Sequence, residues 1–273
     1  MTKEERIQKI IDQNQEYWKD RAALAQTKIT NKNRKQIDKQ LRKYYGNSMK
    51  RVISDFEATY DKLLAAKAAG KEITPADLYK LDRYWTMQAQ LKNELQKLGD
   101  RQISALSKIF EIQFFDIYYS IAIPSKEAFT KISKEGAQQL INAIWTADGK
   151  DFKQHVWGNI NTLIETLNEG LVDSVITGRK TTQLKKILQE RFKASYSRAD
   201  TLVRTEMSHI QNTAAAQRYK DYGIQKFQVW ADKDERRCDV CGSLHKKFYD
   251  TRAQIPVPVH PRCRCSIIPV IED

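Results

Sequence analysis

Apolar residues recur three and four positions apart along most of the 273-residue chain, a spacing that predicts helix. Residues 4–28 carry Ile7, Ile10, Ile11, Tyr17, Trp18 and Leu24 on this period and predict a first amphipathic helix. A second is expected from Lys35 to Tyr45, ended by Gly46, and a third over residues 49–69, ended by Gly70. Thr74-Pro75-Ala76-Asp77 supplies a capping threonine, a proline at the first helical position and a carboxylate three residues beyond the cap. The helix it opens carries Leu78, Leu81, Trp85, Leu91, Leu95 and Leu98, and Gly99 is expected to close it.

Residues 102–123 form the most apolar stretch, with Phe110, Phe114, Ile117 and Ile121 on one face and Ile109, Ile112 and Tyr119 widening it. Lys108, Glu111 and Asp116 interrupt it, so it predicts a buried central helix rather than a membrane span. Pro124 ends that helix and Ser125 caps a short one after it, while Thr146-Ala147-Asp148-Gly149 reads as a turn and a boundary. From Phe152, residues Val156, Ile160, Leu163, Ile164, Leu167, Leu171, Val175 and Ile176 predict a long helix stopped by Gly178. Thr181 or Thr182 caps a short helix through Phe192. Ser197-Arg198-Ala199-Asp200 resembles a capping box opening another, which carries Leu202, Val203, Met207, Ile210 and Ala214 and ends before Gly223. These two would make a helix-turn-helix-like pair, more simply a packing unit than a DNA reader.

Beyond Gly223 the period changes to two. Lys226–Trp230 alternates and predicts a strand, Phe248-Tyr249 a short one, and Ser266–Ile271 a terminal one whose Pro269 suggests a sheet edge. Pro256, Pro258 and Pro261 forbid helix between them. The expected architecture is therefore mainly α with a small β-rich end, an α+β chain. We divide it into a helical body, residues 1–145, and a second domain, 146–273, whose knuckle occupies 226–273.

Charge changes this picture. The chain carries a formal net charge of +13, yet residues 221–273 hold nine Lys/Arg against eight Asp/Glu, leaving +12 on the preceding helices. The excess is richest around Lys32, Arg34, Lys35, Lys39, Arg42 and Lys43, the candidate contacts to nucleic acid or an acidic partner. No apolar run is long enough to span a bilayer, and the N-terminus has no signal-peptide pattern, so synthesis and folding in a cytoplasm are expected. That setting disfavours disulfides.

All four cysteines lie in the last 36 residues, as C-x-x-C (Cys238, Cys241) and C-x-C (Cys263, Cys265), with His245 and His260 nearby. Zinc takes four thiolate or imidazole ligands, two of them often from one C-x-x-C turn. Two sets are open: the four cysteines, or Cys238, Cys241 and His260 with Cys263 or Cys265. Disulfides or plain reduced thiols are the alternatives. Nothing in the pattern positions a base or an oxyanion hole, so no catalytic residue is assigned. Arg204, Glu206 and His209 are a second polar cluster, expected to lock their helix against the knuckle.

The order Arg204-Thr205-Glu206, Ala216, Tyr219, Gly223, Trp230, Cys238, Cys241 and His260-Pro261-Arg262-Cys263-Arg264-Cys265 resembles the C-terminal domain of tailed-phage minor head proteins, the Mu F-like head morphogenesis family. Upstream, Trp145, Gly149, Phe152 and Trp157 resemble that family's entry to the domain, and the pattern covers roughly residues 140–271. One departure is Leu244-His245-Lys246, where such proteins often have Leu-Asp-Gly. The resemblance implies a non-enzymatic structural role in head morphogenesis and DNA packaging or delivery. It implies portal or major capsid protein as partner, a virion location after assembly in the host cytoplasm, and no membrane. Double-stranded DNA held without sequence preference fits the basic body independently. The rivals are a free-standing zinc-knuckle nucleic-acid-binding protein and an enzyme of transferase or toxin type.

Overall fold

A computed structural model describes residues 2–68, 82–122, 131–231, 235 and 237–271. It is mainly helical with one small sheet, the expected class. In chain order, α1 spans Lys3–Trp18, and a π-helical segment over Lys19–Leu24 leads into α2, Ala25–Ala68. Then come α3 (Asp82–Ser120), α4 (Lys134–Ile141), α5 (Phe152–Thr177) and α6 (Thr181–Asp221). The sheet strands are β1 (Lys226–Trp230), β2 (Phe248–Asp250) and β3 (Ser266–Val270), with α7 (Asp239–Leu244) between β1 and β2. The expected helix starts at Thr74 and Ser125, and Gly70 with them, lie outside the described residues.

Among the described residues, the helices are longer and fewer than the sequence pattern predicts. The helix expected over 4–28 is divided by the π segment, and Ile7, Tyr17 and Leu24 from its apolar face are exposed, while Trp18, Ala22 and Ala23 are buried. Gly46 does not end a helix: α2 runs through it, because Leu41, Tyr45, Ser48 and Val52 continue one buried face. That packing offsets glycine's weak helix propensity. Gly99 is likewise inside α3, where its missing side chain admits the Trp157 ring. The capping box expected at Ser197 is absent, since α6 is continuous through Phe192, Ser195, Ala199 and Val203, all buried. With no turn there, the helix-turn-helix-like pair is also absent. Trp85 and Tyr119, expected in the core, are exposed, as is Ile112.

Other stops stand where expected. Gly178 ends α5 in the left-handed conformation, φ 65°, and an Asp151–Gln154 capping box begins it. After α6, Gly223 at φ 73° closes a Schellman turn, its N–H donating to Lys220 O and that of Ile224 to Tyr219 O. Thr146–Gly149 is a turn closed by Gly149 N–H to Thr146 O, 3.1 Å. The three strands follow the predicted spans closely, and β3 is indeed an edge.

Two compact units emerge. One comprises residues 38–105 and 150–200 and is entirely helical where described, with Leu41, Phe56, Tyr60, Leu95, Ile160, Leu167 and Leu188 among its buried side chains. Its Tyr60 hydroxyl lies 2.8 Å from the carbonyl of Ser174 and 2.6 Å from that of Arg179, which fastens α2 to the end of α5. The other comprises residues 1–37, 106–149 and 201–273. It buries Phe110, Phe114 and Ile117 of α3 and Ile121 just beyond its end, as expected, together with Met207, Ile210, Ala214 and Tyr219 of α6 and Phe227, Val229, Ile267 and Ile268 of the sheet. The sheet order is β2-β1-β3, all antiparallel, with Phe227 opposite Tyr249 and Pro269. The edge at β3 is covered: Asn14 of α1 donates to Pro269 O at 2.9 Å and accepts from Ile271 N–H.

The two interior glycines separate propensity from packing. A Cβ at Gly99 would sit 2.6 Å from the Trp157 ring, whereas one at Gly46 meets nothing within 4 Å. Gly99→Ala is expected to destabilise by about 1–3 kcal/mol, and Gly46→Ala to stabilise by roughly 0.5–1 kcal/mol, both read from urea unfolding followed by circular dichroism. Equal effects of the two changes would contradict the packing described.

Candidate metal centre

The Cys/His cluster is assembled within the second unit by α7 and by the loop that enters β3. Cys238 is the N-cap of α7, its sulfur accepting from the Cys241 N–H at 3.4 Å. That places Cys241 one turn along, buried, with its thiol facing the second half of the motif. The loop 254–265 is fastened to α6: Arg262 N–H donates to Thr205 Oγ1 at 3.1 Å, and Asn212 Nδ2 donates to Cys265 O at 3.0 Å. Gln211 Nε2 reaches Ser266 Oγ at 2.7 Å and Tyr219 OH reaches Ile267 O at 2.9 Å. α6 thus delivers Cys263 and Cys265 beside α7.

Two overlapping triads result. Ligand atoms of Cys238, Cys241 and His260 lie within 4.8 Å of one another, and so do those of Cys241, Cys263 and Cys265. Two thiolates on one tetrahedral zinc at about 2.3 Å stand roughly 3.8 Å apart. Cys241 Sγ and Cys263 Sγ are 3.8 Å apart, and Cys241 Sγ and His260 Nε2 are 3.2 Å apart. His260 Nδ1 donates to Pro261 O at 2.8 Å, which leaves Nε2 as the lone-pair nitrogen turned toward the sulfurs. The donor set therefore fits a metal ion. No disulfide joins the four thiols.

The thiols are electrostatically unlike. The hydrogen bond from the Cys265 thiol draws Cys263 down to about 5, and the same bond pushes Cys265 up. Burial pushes Cys241 up to about 12. Cys238 is lowered chiefly by the Cys241 N–H, and His260 is raised chiefly by its bond to Pro261. A cation among these sulfurs would take the place of the shared protons.

His245 stands apart. Its Nδ1 accepts from Ala231 N–H at 3.2 Å and its ring meets Trp230 edge-on. Lys246, at the position where the resembled family often has glycine, adopts the left-handed conformation at φ 68°. Such a conformation costs a non-glycine residue about 1–2 kcal/mol.

Arg204, Glu206 and His209 divide between two flanks of α6, since residues two apart on a helix point about 200° apart. Glu206 and His209 meet at Trp145: the indole Nε1 donates to Glu206 Oε2 at 3.1 Å, and the Trp145 and His209 rings stack at 4.3 Å. This residue pair with an indole was not visible as a unit in the sequence, because Trp145 is 61 residues from Glu206. Arg204 lies on the opposite flank, lining a cavity with Arg34 and Arg262. Of the basic residues on α2, Lys32, Lys35, Lys39, Arg42 and Lys43 are exposed and Arg34 is half-buried. Arg42 pairs with Asp38 at 2.9 Å.

Residues 165–268 match the family model described as Phage Mu protein F like protein. No curated protein and no solved structure matches the chain. The matched stretch runs from mid-α5 through α6 to β3 and contains all five candidate metal ligands, so the resemblance to the tailed-phage head morphogenesis family holds over this segment.

Burial holds His209 down at about 4, from 6.5. A depressed folded-state value means stability that is complete above the unfolded value and is lost as pH falls from about 6.5 toward 4. A shift of this size amounts to something on the order of 3 kcal/mol. His209→Gln is expected to flatten the stability profile between pH 7 and pH 4 by about that amount relative to the parent chain; parallel profiles would show that His209 is not held neutral.

Proposed function

We propose, from the Phage Mu protein F like match over residues 165–268, that this chain is a minor structural protein of a tailed-phage head. It acts in head morphogenesis and DNA packaging or delivery, at the portal vertex or capsid interior. Its partners are portal or major capsid protein. The observation that carries this reading is the match itself, together with a fold in which the matched segment's cysteines and histidine are gathered on one helix and one strand entry. The segment works as a clamp: α7 and the loop before β3 are short pieces with little core of their own, and a metal ion would tie them together.

That metal is zinc, in a closed structural site drawing four ligands from Cys238, Cys241, His260, Cys263 and Cys265. The ligand softness and spacing favour it over a hard cation. The exposed Lys32, Lys35, Lys39, Arg42 and Lys43 supply contacts to DNA phosphates without base readout. Among the described residues no helix is long and apolar enough to cross a membrane.

Two measurements test this. Freshly purified, reduced chain should carry about one zinc per molecule by elemental analysis, and stripping it should lower the melting temperature sharply, because metal binding is folding energy in such knuckles. Cys241→Ser should abolish zinc uptake, since Cys241 belongs to both triads; a folded parent chain that holds almost no zinc refutes the metal site. For the biological role, mass spectrometry of virions and head intermediates from the phage that encodes this chain should find it in few copies. Its absence from both would end the head-protein reading.

A further inference from the structure

The geometry points to a binding site for a phosphate group in the second unit, in the cavity between α2, α6 and the loop that enters β3. The inference does not depend on the head-protein reading. The cavity has a volume of about 300 Å³ and receives four arginines, Arg34 from α2, Arg204 from α6, and Arg262 and Arg264 from the loop. The remaining lining is threonine, asparagine, serine and glutamine, with Met207 and Cys263, and among the described residues it contains no acidic side chain. This size lies at the lower edge of small-ligand pockets, about 300–1,000 Å³. It admits a phosphate together with part of the molecule that carries it.

Two of the polar side chains of the lining, Thr30 and Gln211, are already paired. Thr30 Oγ1 donates to Gln211 Oε1 at 2.6 Å and accepts from Gln113 Nε2, while Gln211 Nε2 is spent on Ser266. Ser208 differs. It is 6% exposed, it lines the cavity, and its hydroxyl has no hydrogen-bond partner. Leaving such a hydroxyl unpaired costs stability, a cost that a ligand oxygen accepting from it would remove.

Of the four arginines, Arg262 is held in orientation. Arg262 donates from its backbone N–H to Thr205 Oγ1 and from Nε to Thr201 Oγ1, each at 3.1 Å, which fixes the guanidinium plane against α6. Arg264 is two residues on, beyond the buried Cys263. Planar guanidinium groups pair with the oxygens of a phosphate through two parallel N–H donors. A lone carboxylate offers one negative charge and two oxygens; a phosphate ester offers more of both, and suits four guanidiniums and a hydroxyl better.

The test uses the full chain and pyrophosphate as probe, by isothermal titration calorimetry at constant ionic strength. Saturable binding with one site is expected. Arg34→Ala and Arg264→Ala should each weaken it about tenfold or more, as for loss of a charge-assisted pair, while Lys186→Ala, an exposed cation outside the cavity, should not. Ser208→Ala is the sharper variant: it removes an unpaired buried hydroxyl, so the free chain should be at least as stable as the parent, yet pyrophosphate should bind several-fold more weakly. Displacement of pyrophosphate by a short DNA duplex would identify backbone phosphates as the source; displacement by a nucleoside monophosphate but not by duplex would identify a small phosphate ester. Absence of saturable binding, or binding weakened equally by Lys186→Ala and the two arginine variants, would overturn the site. Either failure leaves the virion measurement unaffected.

Discussion

The C-terminal knuckle depends on one row of side chains on α6. Thr201, Thr205, Ser208, Asn212 and Tyr219 fall within a narrow stripe at about 100° per residue. Four of them bond to the loop and strand that follow: Thr201 and Thr205 to Arg262, Asn212 to Cys265, Tyr219 to Ile267. A loop of this kind has few ladder partners, and its buried backbone groups must be met by side chains or left costly. α6 meets them. The same bonds place Cys263 and Cys265 beside the C-x-x-C helix, so the thiol cluster and the helix packing have a common origin in one polar stripe. The stripe also separates two surroundings: Arg204 on one flank faces the cavity, and Glu206 and His209 on the other face Trp145.

How much of this was legible in the sequence varies with the range of the interaction. The strands were, because a period of two, prolines and a glycine turn at Gly223 are local signals. Gly178 was, because its left-handed conformation is needed where α5 ends. The breaks expected at Gly46, Gly99 and Ser197 were not real, because a glycine or a serine followed by a carboxylate is only a weak local preference. Around Gly46 a continuous buried face outweighs it, and at Gly99 the residue serves a tryptophan from another helix. Such contacts join residues far apart in sequence and leave no periodic trace. The cysteine grouping was legible as chemistry, and its geometry became visible only with α6 in place.

Buried polar residues were the least legible of all. Gln211, Asn212 and Ser208 are polar residues of α6, yet all three are buried. Polar side chains are mostly exposed, so the inference from type to surface is usually sound. It fails here because the helix packs against irregular backbone, which demands donors and acceptors that an apolar face cannot supply. Trp145 teaches the converse: an indole with a carboxylate and a flat imidazole beside it is neither purely core nor surface, and its role follows from Glu206 and His209.

The basic charge therefore has two separable parts. Exposed lysines along α2 would attract a polyanion at a distance and through screening ions, an attraction that falls steeply with salt and carries no shape. The arginines around the cavity would meet a bound anion at contact, with Arg262 oriented by Thr201 and Thr205. Salt should weaken the first kind far more than the second. A residue such as Arg34, half-buried on the flank of α2 that borders the cavity, belongs to the second kind although its neighbours in sequence belong to the first. Net charge alone merges the two; burial and the geometry of the guanidinium groups distinguish them.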